Sequence, residues 1–237
     1  MPHDAVQAAP EWNDMSTCQE FKGRRAEHPI DALFLRRWSP RAMSGDAVAA
    51  RELFTILEAA RWAPSARNAQ PWRFLYALRG DTWWTIFLTL LTVSRRTWLA
   101  NAGALVIILA STESEYADRP PTYSFAAGAA CQNACLQATS LGLASHVVEI
   151  RDVNLVRQTL EVPDEYAIQV GLVLGHPGQR SELPAQLQDK EAPRLRRPLS
   201  EIAFKGAFSR RASERVNEKR DADAIPASKA SATLPVG

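Results

Sequence analysis

The stretch Ala104–Ala110 decides the fold: it reads A-L-V-I-I-L-A and contains no polar side chain. A short run that is apolar at every position predicts a β-strand buried on both of its faces. Two further apolar segments, Trp72–Leu78 and Ala167–Leu174, and the shorter Ser145–Val148 predict additional strands. The chain therefore needs a central sheet that is covered on both sides.

Helical patterns surround these strands. Leu53, Ile56, Leu57 and Ala60 recur at helical spacing, and Thr82–Leu99 is also mainly helical in character. The Ala-rich segment from residue 125 to residue 141 is apolar almost all round, so we expect it in a core or in a subunit interface. Helices and strands do not alternate regularly, which predicts an α+β fold rather than a doubly wound sheet.

The two ends of the chain differ from the middle. Residues 1–27 are polar and irregular, and residues 209–237 are first charged and then rich in Ala, Ser and Pro. Such segments bury too little apolar surface to offset the entropy lost on ordering. We therefore predict one domain over residues 28–208, a flexible segment before it and a disordered tail after it.

Overall composition narrows the class of protein. The 237 residues include 28 Lys and Arg and 26 Asp and Glu, so net charge does not favour nucleic-acid binding. The longest uncharged apolar run, Thr82–Ser94, is shorter than the roughly 20 residues of a membrane-spanning helix. Met1–Glu20 does not resemble a signal peptide, and Cys18, Cys131 and Cys135 do not form a disulfide framework. We expect a cytoplasmic protein that binds neither nucleic acid nor membrane.

Three polar segments carry candidate chemistry. Arg36–Arg41 reads R-R-W-S-P-R, and its guanidinium and hydroxyl groups could grip an anion such as phosphate. Pro64–Trp72 is dense in short hydrogen-bonding side chains and could hold a planar ligand with polar edges. In Arg194-Leu195-Arg196 an extended backbone would place both arginines on one side. Alone, the two arginine segments are more typical of solvated surface charge, and the segment from Pro64 is equally compatible with a rigid connection capped by Ser and Asn.

The order and spacing of these segments resemble the nitroreductase family. The similarity runs from about Arg36 to Leu199 and includes A-G-A-A at residues 127–130. The resemblance implies a nitroreductase-like three-layer sandwich in which helices flank a central mixed or antiparallel sheet. It also implies an intimate homodimer with FMN bound at the subunit interface.

The resemblance assigns residues to the flavin. The Arg37–Arg41 segment and the Arg194/Arg196 pair would hold the phosphate and ribityl end, and the loop beginning at Pro64 would come from the partner subunit. The backbone at Val148 and Glu149 would face flavin N5 and O4. The predicted FMN-binding residues are Arg37, Trp38, Ser39, Arg41, Pro64, Ser65, Ala66, Asn68, Arg95, Val148, Glu149, Arg194 and Arg196.

Two positions depart from the family pattern. Arg95 stands where many members have asparagine, and its charge would favour the anionic reduced flavin if it faced the ring rather than solvent. Ile150 stands where relatives often have glycine, and it restricts the backbone to ordinary φ/ψ. The resemblance therefore implies the hydrogen bond to flavin N5 more strongly than the one to O4.

The implied activity is transfer of hydride from NAD(P)H, through flavin N5, to a small oxidised acceptor by a ping-pong mechanism. A nitroaromatic, a quinone or an enal would be a suitable acceptor. No catalytic side chain is expected, because flavin N5 carries the chemistry. No metal is expected either, because the four histidines lack metal-ligand spacing. The alternatives are a specialised flavin enzyme of the same fold, either a reductive dehalogenase or a flavin-fragmenting enzyme, and a non-catalytic flavin-binding protein.

Overall fold

The computed structural model describes residues 20–92, 97–113 and 122–208. The chain divides into two compact units, of which the first ends at Arg194 and the second begins at Leu195. In the described residues, all strands and α-helices lie in the first unit, and the second contains a short 3-10 turn at Leu199–Glu201. The predicted domain limits at residues 28 and 208 stay predictions.

The elements of the first unit follow one another in mixed order. The strands are β1 (Glu20–Phe21), β2 (Arg24–Arg25), β3 (Trp72–Leu78), β4 (Ala104–Ser111), β5 (Ala144–Val148) and β6 (Tyr166–Gly175). The α-helices are α1 (Ala32–Arg36), α2 (Ala50–Arg61), α3 (Trp84–Thr92), α4 (Tyr123–Ser140), α5 (Val153–Thr159) and α6 (Ala185–Gln188).

The main sheet has the strand order β3-β4-β6-β5, and every neighbouring pair is antiparallel. Strand β4 is buried from Ala104 to Ala110, which confirms the strand predicted from its apolar sequence. Because successive side chains of a strand point to opposite faces, Val106 and Ile108 enter one core while Leu105 and Ile107 enter the other.

Helices cover both faces of this sheet. On one face, α2 and α4 contribute Leu53, Ile56 and a row of alanines to the core. On the other face, α3 contributes Phe87 and Leu91, and α5 contributes Val156. The α+β three-layer sandwich expected from the sequence is therefore confirmed, with an antiparallel central sheet.

Helix α4 has one buried face and one exposed face. Its small residues at 126, 130, 134 and 138 pack inward, and Asn133 Nδ2 donates to the carbonyl of Ala59 on α2 at 3.2 Å. Phe125, on the opposite face, is 81% exposed in the single chain. The helix ends before Gly142, whose φ of 76° is typical of a helix C-terminus.

The predicted helical segment Thr82–Leu99 is helical in two pieces. Helix α3 is followed by a 3-10 helix at Thr97–Asn101, and residues 93–96 between them lie outside the described residues. In the part of the chain that the structure describes, no helix is long and apolar enough to cross a membrane.

Candidate functional site

The segment Arg37–Ala42, here called the arginine loop, begins where α1 ends. The N–H of Arg37 donates to Leu33 O at 2.9 Å and closes the helix, and the backbone of Arg37 then becomes extended. The buried side chain of Arg24, on β2, donates to the carbonyl oxygens of Arg37, at 2.9 Å, and Leu35. The start of the loop is therefore fixed by a contact from the N-terminal hairpin, within the segment predicted to be flexible.

Within the arginine loop, two predicted anion ligands come together. Arg37 Nη1 lies 3.4 Å from Ser39 Oγ, and both side chains are half-buried, as is that of Trp38. Among the described residues no carboxylate forms an ion pair with Arg37. The guanidinium therefore keeps a positive charge that is partly shielded from water and not neutralised by an acid.

The turn after β6 supports the far end of the arginine loop. Ser44 N donates to His176 O and Gly178 N donates to Ala42 O, both at 3.0 Å. A Cβ atom on Gly178 would lie 2.5 Å from the carbonyl carbon of Met43, which is closer than real Cβ contacts. Glycine is therefore required here by the close approach of two backbones.

A buried acid anchors the arginine loop from the C-terminal side. Glu191 Oε1 accepts hydrogen bonds from the N–H groups of Arg41, at 2.7 Å, and Ala42, at 2.9 Å. Arg41 Nη1 lies 3.8 Å from Glu191 Oε2 and 3.5 Å from Lys190 O. This anchor stands three residues before the exposed Arg194. Sequence reasoning missed Glu191, because no local pattern links residues about 150 positions apart.

Strand β5 borders the arginine loop on another side. His146 Nδ1 lies 3.0 Å from Pro40 O and donates to it, since a carbonyl only accepts. The His146 ring also packs against Trp98, with 4.8 Å between the ring centroids. At the end of β5, Val148 is buried and Glu149 is exposed. The structure thus gives His146 a contact with the arginine loop.

Ile150, one of the two positions that depart from the family pattern, has a packing role. Ile150 is buried in the same core cluster as Val148 and Val156. Ile150 does not have a positive φ, so its backbone adopts ordinary φ/ψ. An apolar residue here fills the core beneath the end of β5.

The arginine loop also acts electrostatically on helix α4. The pKa of Cys135 is lowered to about 7, mainly by a hydrogen bond with the Cys131 thiol and also by Ser145 and the charge of Arg37, whereas burial opposes this shift. The same pairing raises the pKa of Cys131. Arg37 therefore lies close enough to α4 for its charge to be felt at Cys135.

The loop from Pro64 to Gln70 is exposed and unusually shaped. Arg67, Asn68 and Gln70 have φ values of 52°, 60° and 47°, in the left-handed region that residues other than glycine seldom adopt. Ser65 Oγ accepts from Gln70 N at 2.9 Å, and Ser65 O accepts from Asn68 N at 3.1 Å. Internal hydrogen bonds thus hold the loop in a strained conformation.

The remaining predicted ligands are placed as follows. Pro64, Ala66 and Asn68 are exposed on that loop, and Ser65 is half-buried. Arg196 belongs to the second unit, where its Nη1 lies 3.3 Å from Leu195 O. Arg95 lies outside the described residues. The structure therefore brings together the arginine loop, β5 and the segment before Arg194.

Comparison with known families decides the identity of this fold. The nitroreductase family model matches residues 35–82 and 85–176, which is more than half of the chain. The chain belongs to the nitroreductase family. The matched ranges contain the arginine loop, the Pro64–Gln70 loop and the end of β5.

Solved structures agree with membership of the nitroreductase family. One is an oxidoreductase that contains FMN, with 38% identity and a TM-score of 0.75 over 81% of this chain and 98% of that one. A Desulfovibrio desulfuricans protein in complex with FMN has 26% identity and a TM-score of 0.59, covering 78% and 100% of the two chains. A nitroreductase family protein from Clostridium difficile 630, at 22% identity and a TM-score of 0.60 over 76% and 99%, shares the fold. No curated protein matches the chain.

Proposed function

We propose that the chain is an FMN-dependent oxidoreductase. The observation that carries this proposal is the arginine loop, where Arg37 is half-buried beside Ser39 and no carboxylate of the described residues pairs with it. A guanidinium in such a position suits the dianionic phosphate of FMN, which can accept two parallel charge-assisted hydrogen bonds. The 38% identical oxidoreductase that contains FMN supports the choice of cofactor.

The predicted ligands would contact FMN along its length. Arg37, Ser39 and Arg41 would hold the phosphate, joined by Arg194 and Arg196, and Trp38 would lie beside the ribityl chain. The backbone at Val148 and Glu149 would approach the flavin edge, and Arg95 would adjoin the pyrimidine side. When bound, FMN supplies the ability to accept and release hydride at N5, and the protein supplies orientation and electrostatics.

The proposed reaction takes hydride from NADH or NADPH and delivers it to a small oxidised acceptor of the nitroaromatic, quinone or enal type. Donor and acceptor would occupy the same open pocket in turn, which gives ping-pong kinetics. The chain would need neither a side-chain nucleophile nor a metal for this reaction. The cytoplasm, where NAD(P)H is abundant, is its proposed location.

We propose further that two copies form a homodimer and that the dimer completes each site. Strained backbone conformations persist where their surroundings impose them, and the Pro64–Gln70 loop is both strained and exposed in the single chain. Phe125 exposes 81% of its surface on the outer face of α4. A second copy packed on α4 would bury Phe125 and receive the Pro64–Gln70 loop near its flavin.

The test begins with the visible spectrum of the purified protein, with FMN added if needed. NADPH or NADH is then supplied without oxygen, followed by a nitroaromatic or a quinone. A yellow protein that bleaches with the donor and regains its colour with the acceptor is the expected result. Flavin that binds but does not bleach would favour a non-catalytic role, and a protein that cannot take up FMN would overturn the proposal.

Replacing Phe125 by aspartate tests the dimer. Burying one large aromatic side chain contributes about 1.5–3 kcal/mol, and each dimer with two-fold symmetry buries two, so dimer affinity should fall by roughly 100-fold or more. Size-exclusion chromatography with light scattering should show a monomer that has also lost FMN. Leu155→Asp on α5 is the control, because α5 covers the opposite face of the sheet. A dimeric Phe125→Asp variant with normal flavin content would contradict the proposed interface.

A further inference from the structure

Glu191 is a buried carboxylate with an unusual set of partners. Its side chain is 4% exposed, and one oxygen, Oε1, accepts from two consecutive backbone N–H groups of the arginine loop. Its other oxygen, Oε2, has no hydrogen-bond partner among the described residues and lies 3.8 Å from Arg41 Nη1. Burying a carboxylate is costly unless its contacts offset the loss of hydration. We therefore infer that this carboxylate holds the groups that donate to it in place.

The contacts of Glu191 decide what the arginine loop offers to an anion. Two adjacent N–H groups that point the same way can form an anion site by themselves. Here the carboxylate of Glu191 already occupies the N–H groups of Arg41 and Ala42, and Pro40 has no N–H to donate. Positions 40–42 therefore have no backbone N–H left for a phosphate, and Arg41 can bind one only with its side chain.

We propose that Glu191 is a positioning residue that clasps the C-terminal segment to the arginine loop and thereby fixes Arg41 and Arg194 for the phosphate of FMN. The proposal rests on the proposed function. Ordering a flexible loop at the moment of binding would cost affinity, and the clasp would remove that cost by fixing the loop beforehand. It would also keep Arg194 near the loop, because only two residues separate Arg194 from Glu191.

For a variant that lacks the Glu191 carboxylate, loss of positioning and loss of negative charge predict opposite changes in FMN affinity. Removing a negative charge beside Arg41 should by itself strengthen attraction for a phosphate. Glu191→Gln and Glu191→Ala both remove that charge, but only glutamine keeps an oxygen that can accept from Arg41 N and Ala42 N. The difference between the two variants therefore isolates the hydrogen bonds from the charge.

The experiment measures FMN affinity by quenching of flavin fluorescence in the wild type and both variants. Glu191→Gln should bind FMN within about threefold of the wild type, and Glu191→Ala should bind at least about tenfold more weakly, because two buried N–H groups lose their acceptor. Glu182→Ala is the control, since Glu182 also accepts from a backbone N–H, that of Gln179 at 3.3 Å, but at an exposed turn.

Two further measurements keep the proposal testable if Glu191→Ala does not fold. Glu191→Asp retains the charge but is shorter by one methylene, so it should bind FMN as weakly as expected for the alanine variant. Hydrogen exchange without FMN should show slow amides at Arg41 and Ala42 in the wild type and fast ones in Glu191→Asp.

If Glu191→Gln matched the alanine or aspartate variant in both FMN affinity and amide protection, the proposed clasp would be overturned. The proposed function would still stand in that case. A wild-type protein that does not bind FMN would overturn the proposed function and, with it, the role of the clasp in flavin binding.

Discussion

Arg37→Ala should lose FMN on purification while keeping its fold. Hydrogen bonds to charged groups contribute about 1.5–3 kcal/mol each, and a guanidinium can make two to one phosphate, so affinity should fall roughly 100-fold or more. Flavin content after gel filtration and the dissociation constant of added FMN measure the loss. Thermal unfolding without FMN should change little, because in the described chain Arg37 contributes no ion pair to the fold.

A matched variant separates the phosphate contact from net charge. Arg51→Ala removes the same charge from an exposed position in the first turn of α2. We expect its FMN affinity to stay within about twofold of the wild type, since Arg51 is exposed and salt screens the charge of an exposed side chain. Normal flavin content in Arg37→Ala, or an equal loss in Arg51→Ala, would refute the assigned phosphate contact.

Gly178→Ala should both destabilise the protein and weaken FMN binding. The new Cβ would lie 2.5 Å from Met43 C, 2.7 Å from Met43 O and 2.9 Å from Ser44 N. Because all three are backbone atoms, the arginine loop itself must move, and the hydrogen bond from Gly178 N to Ala42 O would be strained. Overpacking of this kind costs typically 1–3 kcal/mol, measured by chemical denaturation. FMN affinity should fall together with stability.

Gly80→Ala is the control for this substitution. Gly80 has a φ of 90° and no atom within 4 Å of the position of a Cβ, so alanine there adds backbone strain of about 1 kcal/mol without a clash. It lies in the turn between β3 and α3 and should leave FMN affinity unchanged. If Gly178→Ala behaved like Gly80→Ala in both measurements, the turn after β6 would not support the arginine loop.

The core of the fold could be predicted from the sequence because its signals are local and strong. The unbroken apolar run of β4 predicts burial on both faces, and alternate residues of it do enter two separate cores. The helical spacing of Leu53, Ile56 and Ala60 predicts α2, and all three side chains are buried in one core. The short hairpin of β1 and β2 was not predicted, because each strand has only two residues.

The candidate site could be predicted only in part. The motif at Arg36–Arg41 predicted the arginine loop as a candidate anion site, since several arginine and hydroxyl side chains are adjacent in sequence. Its supports could not be found this way, because the contact of Arg41 with Glu191 spans 150 positions and that of Pro40 with His146 spans 106. Such long-range contacts leave no periodic trace in the sequence.

The strained conformation of the Pro64–Gln70 loop was hidden for a different reason. Arg67 and Gln70 are not residues that favour positive φ, so their identities gave no sign of it.

The most direct test of the central claim compares FMN with riboflavin, which has the same ring and ribityl chain but no phosphate. Titration of the purified protein after removal of bound flavin gives both dissociation constants under one set of conditions. If the arginine loop holds the phosphate, FMN should bind at least roughly 100-fold more tightly than riboflavin. Arg37→Ala should remove most of this difference. Equal affinity of the wild type for FMN and riboflavin would contradict the account.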